Sequence, residues 1–155
     1  MFTGDRSGEF LFASLFRAGL ANQPSSLSRD DGLTLSGCYV TAAVRCAPPQ
    51  NRPTPDERER CLPYLRRELD LLASVRVIVC LGALAWEAAL ALLDPRPRPR
   101  PHFGHAAEFA SRPAQPVLLA SFHPSQQNTF TGRLTAPMLD AVFERARVLA
   151  GVAAR

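Results

Sequence analysis

The hydrophobic pattern along the chain predicts four helices. Apolar side chains recur near helical spacing in segment 8–21, and three further helices are expected at 55–73, 83–93 and 137–150. The second of these helices also has a clear start signal. Thr54 and Glu57 form a capping-box pair, and Pro55 occupies the favoured first helical position.

Three short apolar runs predict strands at 38–44, 75–81 and 116–121. Because strands and helices alternate along the chain, they predict βαβ units. The expected fold is therefore α/β, with a parallel sheet covered by helices on both faces. Functional side chains are expected in the loops after the carboxyl ends of the strands.

Length and composition agree with one globular domain over residues 1–155. The chain has 155 residues and is 46% apolar, which is enough for a hydrophobic core. It shows neither a signal peptide nor a long apolar run, so a cytoplasmic protein is expected, with no membrane span. Residues 94–102, DPRPRPRPH, have low complexity and predict an extended Arg/Pro-rich loop on the surface.

The charge is positive and comes from a single residue type. The formal net charge is +4, and all 18 basic residues are arginines. Arginine binds phosphate bidentately, which favours a polyanionic partner. The abundance of Arg, Ala, Pro and Gly also fits a GC-rich genome, which accounts for most of the preference for Arg over Lys.

The four cysteines fall into two groups. Cys38 and Cys80 lie in apolar runs, where a thiol behaves as a small hydrophobic group. Cys46 and Cys61 flank a Pro-rich segment and a helix start, where metal ligands are common. Disulfides are not expected in a reducing compartment.

A polar run, SFHPSQQNTFTGRLT at 121–135, follows the last predicted strand. It contains one histidine, three carboxamides, several hydroxyls and one arginine, where a turn alone needs only Gly, Pro or an Asx residue. Its position at a strand end predicts a binding or catalytic loop.

Three blocks occur in order along the chain: FTGDRSGEFLFASLFRAGL, YVTAAVRCAPPQNRPTPDERERCLPYLRREL and SFHPSQQNTFTGRLT. Together they closely resemble the type-five, or B-type, uracil-DNA glycosylases. The resemblance implies a three-layer αβα sandwich around a short parallel sheet. It also implies base excision repair of damaged DNA, in which the N-glycosidic bond of a flipped uracil is hydrolysed. Ala42 and Ala43 stand where the related A-type branch has an asparagine, which implies relaxed specificity towards other deaminated bases.

The resemblance assigns candidate catalytic roles to three residues. His123 would donate a hydrogen bond to the uracil O2 as negative charge develops there. Asp5 would be the catalytic carboxylate, although an N-cap role for Asp5, or for Ser7 in its place, stays open. Asn51 would either bond the base edge or hold a turn. The implied substrate-binding residues, which contact the flipped base, the phosphates or the vacated stack, are Phe2, Gly4, Ser7, Ser125, Gln126, Gln127, Asn128, Thr129 and Arg133.

Cys46 and Cys61 match two of the four ligands of the 4Fe–4S cluster that the resemblance implies. Family members carry a further segment before FTGD, with a Cys-x-x-Cys pair and a first strand. The chain starts at Met1, immediately before that block, and is therefore expected to lack the first strand and to bind little or no stable cluster. The missing half is attributed to a late start codon or a deletion.

Two classes of function follow from these observations. The first is a DNA glycosylase, acting as a monomer on DNA that contains uracil. The second is a non-catalytic remnant that binds DNA. A dinucleotide-binding Rossmann protein is a distant third, since no G-x-G-x-x-G motif follows a strand.

Overall fold

The computed structural model describes residues 3–46, 52–113 and 115–152. Within them lie five helices and three strands, in the order α1 (Arg6–Arg17), α2 (Pro55–Leu71), β1 (Val77–Leu81), α3 (Ala83–Leu92), β2 (Glu108–Phe109), β3 (Val117–Ser121), α4 (Gln126–Phe130) and α5 (Ala136–Ala150). All four helices expected from the hydrophobic pattern are present. No helix in the described ranges is long and apolar enough to cross a membrane.

The described strands form a sheet in the order β1-β3-β2. Strands β1 and β3 are parallel, with Val77 opposite Val117 and Leu81 opposite Ser121. The two-residue strand β2 pairs with β3 in the antiparallel direction, so the sheet is mixed rather than purely parallel as expected. The pattern could not reveal β2, because two residues are too few to show a period.

Helices cover both faces of this sheet, as an αβα sandwich requires. On β3, Leu118 and Ala120 pack with Trp86 of α3 on one face. Leu119, which points to the other face, packs with Val142 of α5. The outer contacts are made by α2 on α3 and by α1 on α5.

Helix α1 is tied to α5 by polar as well as apolar contacts. Leu11 and Leu15 of α1 are buried with Phe143 of α5. Beside them, Asp140 accepts hydrogen bonds from the Ser14 hydroxyl and from the Arg17 guanidinium, the latter at 2.7 and 2.8 Å. These contacts fix α1, and therefore the residues at its amino end, relative to the sheet.

The strand expected at 38–44 is not present. Residues 38–44 have no strand assignment, and none of β1, β2 and β3 pairs with them. Cys38 and Val40 instead pack against the core formed around α1. An apolar run becomes a strand only when another strand satisfies its backbone groups, and the sequence pattern of the run does not contain that information.

Candidate active site and cysteine pair

The loops after β1 and β3 meet because these strands are parallel neighbours. The Gly82 amide, just after β1, donates a hydrogen bond to the Ser121 carbonyl at the end of β3, at 2.8 Å. Gly82 has a φ of 95°, and a Cβ at this position would lie 3.2 Å from the Cβ of His123. Both features favour glycine, so the LG that ends β1 serves the site as well as the turn.

His123 lies in a cleft of about 210 Å³ at the carboxyl ends of β1 and β3. The residues that line it are Gly82, Ala83, Phe103, Phe122, His123, Asn128 and Arg133. Burial lowers the pKa of His123, while the charge of Asp5 raises it in part; the net shift is downward. The imidazole is therefore mainly neutral at pH 7, and a neutral imidazole offers one N–H donor and one nitrogen acceptor.

Asn128 holds the backbone beside His123. Its side-chain amide donates to the His123 carbonyl at 2.8 Å, and its own backbone N–H is capped by the Ser125 hydroxyl at 3.4 Å. Ser125 is thus the N-cap of α4. The predicted polar run is used partly to shape the loop itself, whereas the Gln126 and Gln127 side chains remain exposed.

Aromatic rings form one wall of the cleft. Phe122 packs edge-on to Phe103, with ring centroids 6.2 Å apart, and its backbone N–H donates to His105 Nδ1 at 3.3 Å. The Arg133 guanidinium lies over the Phe122 ring, 4.5 Å from its centroid. Sequence reasoning found Arg133 but missed Phe103 and Phe122, since single phenylalanines in a loop give no periodic signal.

Asp5 is the N-cap of α1 and also acts electrostatically on His123. Its carboxylate accepts a hydrogen bond from the Gly8 amide at 2.6 Å. The alternative that Ser7 caps this helix is wrong, because Ser7 lies inside α1. Gly4 supports the turn before the cap, with a φ of 70° and a hydrogen bond from its N–H to the Ser26 carbonyl.

Two of the predicted site residues, Phe2 and Asn51, lie outside the described residues, so their roles remain predictions.

A second, larger cleft lies between α1 and α4. It measures about 540 Å³ and is lined by Arg6, Glu9, Phe10, Thr129 and Phe130. It is wide and open, and His123 does not line it. The smaller cleft, which contains the half-buried His123 imidazole, is therefore the better candidate for chemistry.

Cys46 and Cys61 form a thiol pair at the surface. The pKa of Cys46 is raised by partial desolvation, by the charge of Glu57 and by the neighbouring Cys61. The Arg45 backbone N–H donates to the Cys61 sulfur at 3.4 Å.

Glu68 holds the segment that carries Cys46. It accepts hydrogen bonds from the Tyr39 and Thr41 hydroxyls and from the Arg45 guanidinium. Although burial raises the pKa of Glu68, these three donors lower it below its ordinary value. Side-chain contacts to α2 thus take the place of the strand pairing that was expected here.

The thiol pair fits half of a four-thiolate set. Elsewhere, Cys38 donates to the Leu20 carbonyl at 3.6 Å, and burial raises the pKa of Cys80 to about 12. Over the described ranges, no group of three or more His, Cys, Asp or Glu side chains is arranged to hold a metal ion.

The profile of the Uracil DNA glycosylase superfamily matches residues 1–147. The type-5 uracil-DNA glycosylase of Mycobacterium tuberculosis (strain CDC 1551 / Oshkosh) is 51% identical over 153 residues, covering 98% of this chain and 57% of that protein. The chain thus spans little more than half the length of this relative.

Two further relatives place the chain within the superfamily. The type-5 uracil-DNA glycosylase of Thermus thermophilus is 51% identical over 151 residues, which cover 97% of this chain and 68% of that protein. A type-4 uracil-DNA glycosylase of Archaeoglobus fulgidus is 44% identical over 64 residues, covering 41% of this chain and 32% of its own length. The chain therefore belongs to the uracil DNA glycosylase superfamily and, within it, to the type-5 family.

Proposed function

We propose that this chain contains the catalytic site of a DNA repair glycosylase that hydrolyses the N-glycosidic bond of uracil, and of other deaminated bases, in DNA. The observation that carries the proposal is the placement of His123. It is a mainly neutral imidazole in a small cleft, where the carboxyl ends of two parallel strands meet and where the charge of Asp5 reaches it. The named relatives support the choice of uracil in DNA.

The size and lining of the cleft suit a single flipped base. Its volume of about 210 Å³ is below the roughly 300–1,000 Å³ of pockets for drug-sized ligands. The rings of Phe103 and Phe122 offer apolar surface to a planar base, and His123 and Asn128 offer polar groups to its edge. Enzymes that act on a base take it out of the stack and read it in such a pocket.

The reaction breaks the bond between C1′ of deoxyribose and N1 of uracil. The bonding electron pair leaves with the base as an N1 anion, a water oxygen bonds to C1′, and the proton that this water loses neutralises the uracil anion. Charge therefore develops in two places, negative on the uracil oxygens and positive on the sugar. Stabilising each requires a preorganised group of the opposite character.

His123 and Asp5 supply these two groups. A neutral imidazole can donate its N–H to the uracil O2 while the anion forms, and burial makes such a hydrogen bond stronger than it would be in water. The Asp5 carboxylate is fixed by the Gly8 amide at the amino end of α1, and its charge reaches His123. We assign it to the cationic sugar and to the attacking water.

Arg133, Ser125 and Gln126 extend from the same loop and can contact the flanking phosphates. The structure uses the Arg133 guanidinium to cover Phe122 and leaves the side chain exposed. Arginine stacked in this way keeps its outer N–H groups available for phosphate.

We propose further that Cys46 and Cys61 are two of the four thiolates of a 4Fe–4S cluster. The neighbouring thiols and the Arg45 amide that donates to the Cys61 sulfur fit two adjacent ligand positions. A cluster bound there would cross-link the segment before α2 to that helix and would serve stability.

The test is cleavage of a duplex with a single uracil opposite guanine, followed as abasic sites that are cut only after alkali treatment. We expect His123→Ala to lower the single-turnover rate by roughly 10²–10³, as for the loss of one donor to a developing anion. Its affinity for uracil-containing DNA should persist. Glu144→Ala, at an exposed position of α5 outside the lining of the cleft, serves as the control.

Cleavage slowed less than threefold by His123→Ala would refute the role of this residue. Binding of uracil-containing DNA without any cleavage by the unaltered protein would instead support a non-catalytic DNA-binding protein.

A further inference from the structure

The arginine loop, residues 94–102, contains Arg96, Arg98 and Arg100, and its position is defined at both ends. At its start, the Gln115 side-chain amide donates to the Asp94 carbonyl at 2.8 Å. At its end, Trp86 Nε1 donates to the Pro101 carbonyl at 3.2 Å. The chain also bends at residues 93–95 and 98–99, so it is not the straight extended segment that its composition predicts.

These anchors place the loop along α3, from the side of the sheet where β1 and β3 begin to the side where they end. Asp94 follows the carboxyl end of α3, whereas Trp86 lies in its first turn, next to the Gly82 cap that lines the His123 cleft. A helix of this length spans about 15 Å. The loop therefore approaches the cleft in the order Arg96, Arg98, Arg100, and Phe103, just beyond it, lines the cleft.

In the described residues, no salt bridge neutralises the positive charge of the arginine loop. Arg96, Arg98, Arg100 and His102 are all exposed. The four salt bridges recorded for the described residues use Arg17, Arg45, Arg58 and Arg145, and none involves the loop. Prolines between the arginines fix φ, which reduces the entropy lost when the loop binds a partner.

We propose that the arginine loop binds the sugar–phosphate backbone of DNA beside the flipped nucleotide, with Arg100 nearest to it. The proposal deepens the proposed function, since it takes DNA as the occupant of the neighbouring cleft. A row of exposed guanidinium groups beside a base-sized pocket suits phosphates, because Arg binds phosphate bidentately and without regard to sequence. The contact supplies affinity, while the cleft supplies damage specificity.

The test compares two triple variants with the same change in charge. The first is Arg96→Gln/Arg98→Gln/Arg100→Gln. The control is Arg67→Gln/Arg76→Gln/Arg112→Gln, which changes three exposed arginines. Arg67 lies near the end of α2, and Arg76 and Arg112 lie before β1 and β3, on the side of the sheet where these strands begin. Binding to a uracil-containing duplex is measured between 50 and 200 mM salt, and thermal melting verifies folding.

We expect the loop variant to reduce the slope of log Kd against log salt by about 0.9 for each phosphate contact removed. The control should keep the slope of the unaltered protein. Among single variants, Arg100→Gln should weaken binding more than Arg96→Gln, and single-turnover cleavage at saturating protein should remain.

A loop variant that cleaves and binds uracil-containing DNA with an unchanged salt slope overturns the inference and leaves the proposed function intact. If the unaltered protein binds no DNA, the proposed function fails as well. If the loop variant loses as much affinity for a polyglutamate peptide as it loses for DNA, the loop is a generic anion site. That result would also overturn the assignment to DNA.

Discussion

His123 is subject to two opposing influences on its proton. Burial in the cleft lowers its pKa, and the negative charge of Asp5 raises it in part. Above the lowered pKa the imidazole is neutral, and a neutral donor suits a leaving base that carries only partial negative charge before the bond breaks. Triosephosphate isomerase provides a precedent for catalysis by a neutral histidine.

Asp5→Asn separates the two roles of Asp5. Asparagine is as good an N-cap as aspartate, so α1 should keep its start, while the charge near His123 is lost. Because that charge raises the pKa of His123, we expect the pKa to fall further in the variant. The chemical step should also slow, since the cationic sugar loses a partner. An NMR titration of the His123 ring and single-turnover kinetics would measure both effects.

Glu9→Gln is the matched control for Asp5→Asn, since Glu9 lies in the first turn of the same helix and lines the other cleft. It should leave the titration of His123 and the cleavage rate unchanged. If Asp5→Asn behaves like Glu9→Gln in both measurements, Asp5 is only a helix cap.

At the scale of elements, helices could be predicted from the sequence better than strands. The capping box of Thr54 and Glu57 marks the start of α2 locally, and both of its hydrogen bonds are present. A strand depends on its neighbours instead: 38–44 has the composition of one, but it is held by Glu68 rather than by a ladder. Within the site, His123 and Arg133 could be found from the polar run, whereas Phe103 and Phe122 come together only through the fold.

Glu68 sets how firmly Cys46 is held against Cys61. Cys61, Tyr64 and Glu68 lie three and four residues apart on α2, so they share one face of the helix. The Arg45 side chain contacts both Glu68 and the Tyr64 ring, and Cys46 follows directly. The Glu68 carboxylate thereby positions the thiol pair through Arg45.

Removing the Glu68 carboxylate should loosen the thiol pair without unfolding the protein. We expect Glu68→Ala to slow two-point capture of Cys46 and Cys61 by phenylarsine oxide by roughly tenfold, which corresponds to the loss of about 1.4 kcal/mol, or one charge-assisted hydrogen bond. Mass spectrometry would follow the capture. Asp70→Ala, an exposed acid on the same helix, should have no effect. Equal capture rates in both variants would contradict the positioning role of Glu68.

At the scale of the whole molecule, both candidate sites belong to elements that are packed on the same sheet. Helix α3 packs on β1 and begins at the His123 cleft, and α2, which carries Cys61, packs on α3. A change at the cysteine pair can therefore reach the cleft through α2 and α3. This arrangement fits a structural role for the cysteine pair and a catalytic role for the cleft.

The 155-residue chain is expected to bind little iron. A 4Fe–4S cluster is held by four thiolates, and this chain offers Cys46 and Cys61 as a preformed pair. The thiol of Cys80 is buried with its pKa raised to about 12, so it resists forming the thiolate that iron requires. Anaerobic reconstitution should therefore yield nearly colourless protein with far fewer than about four irons per chain. Cys46→Ser should remove the iron that does bind, while Cys38→Ser, the control, should not. Close to four irons per chain that are lost in Cys38→Ser or Cys80→Ser would show that one of these cysteines leaves its apolar surroundings to become a ligand.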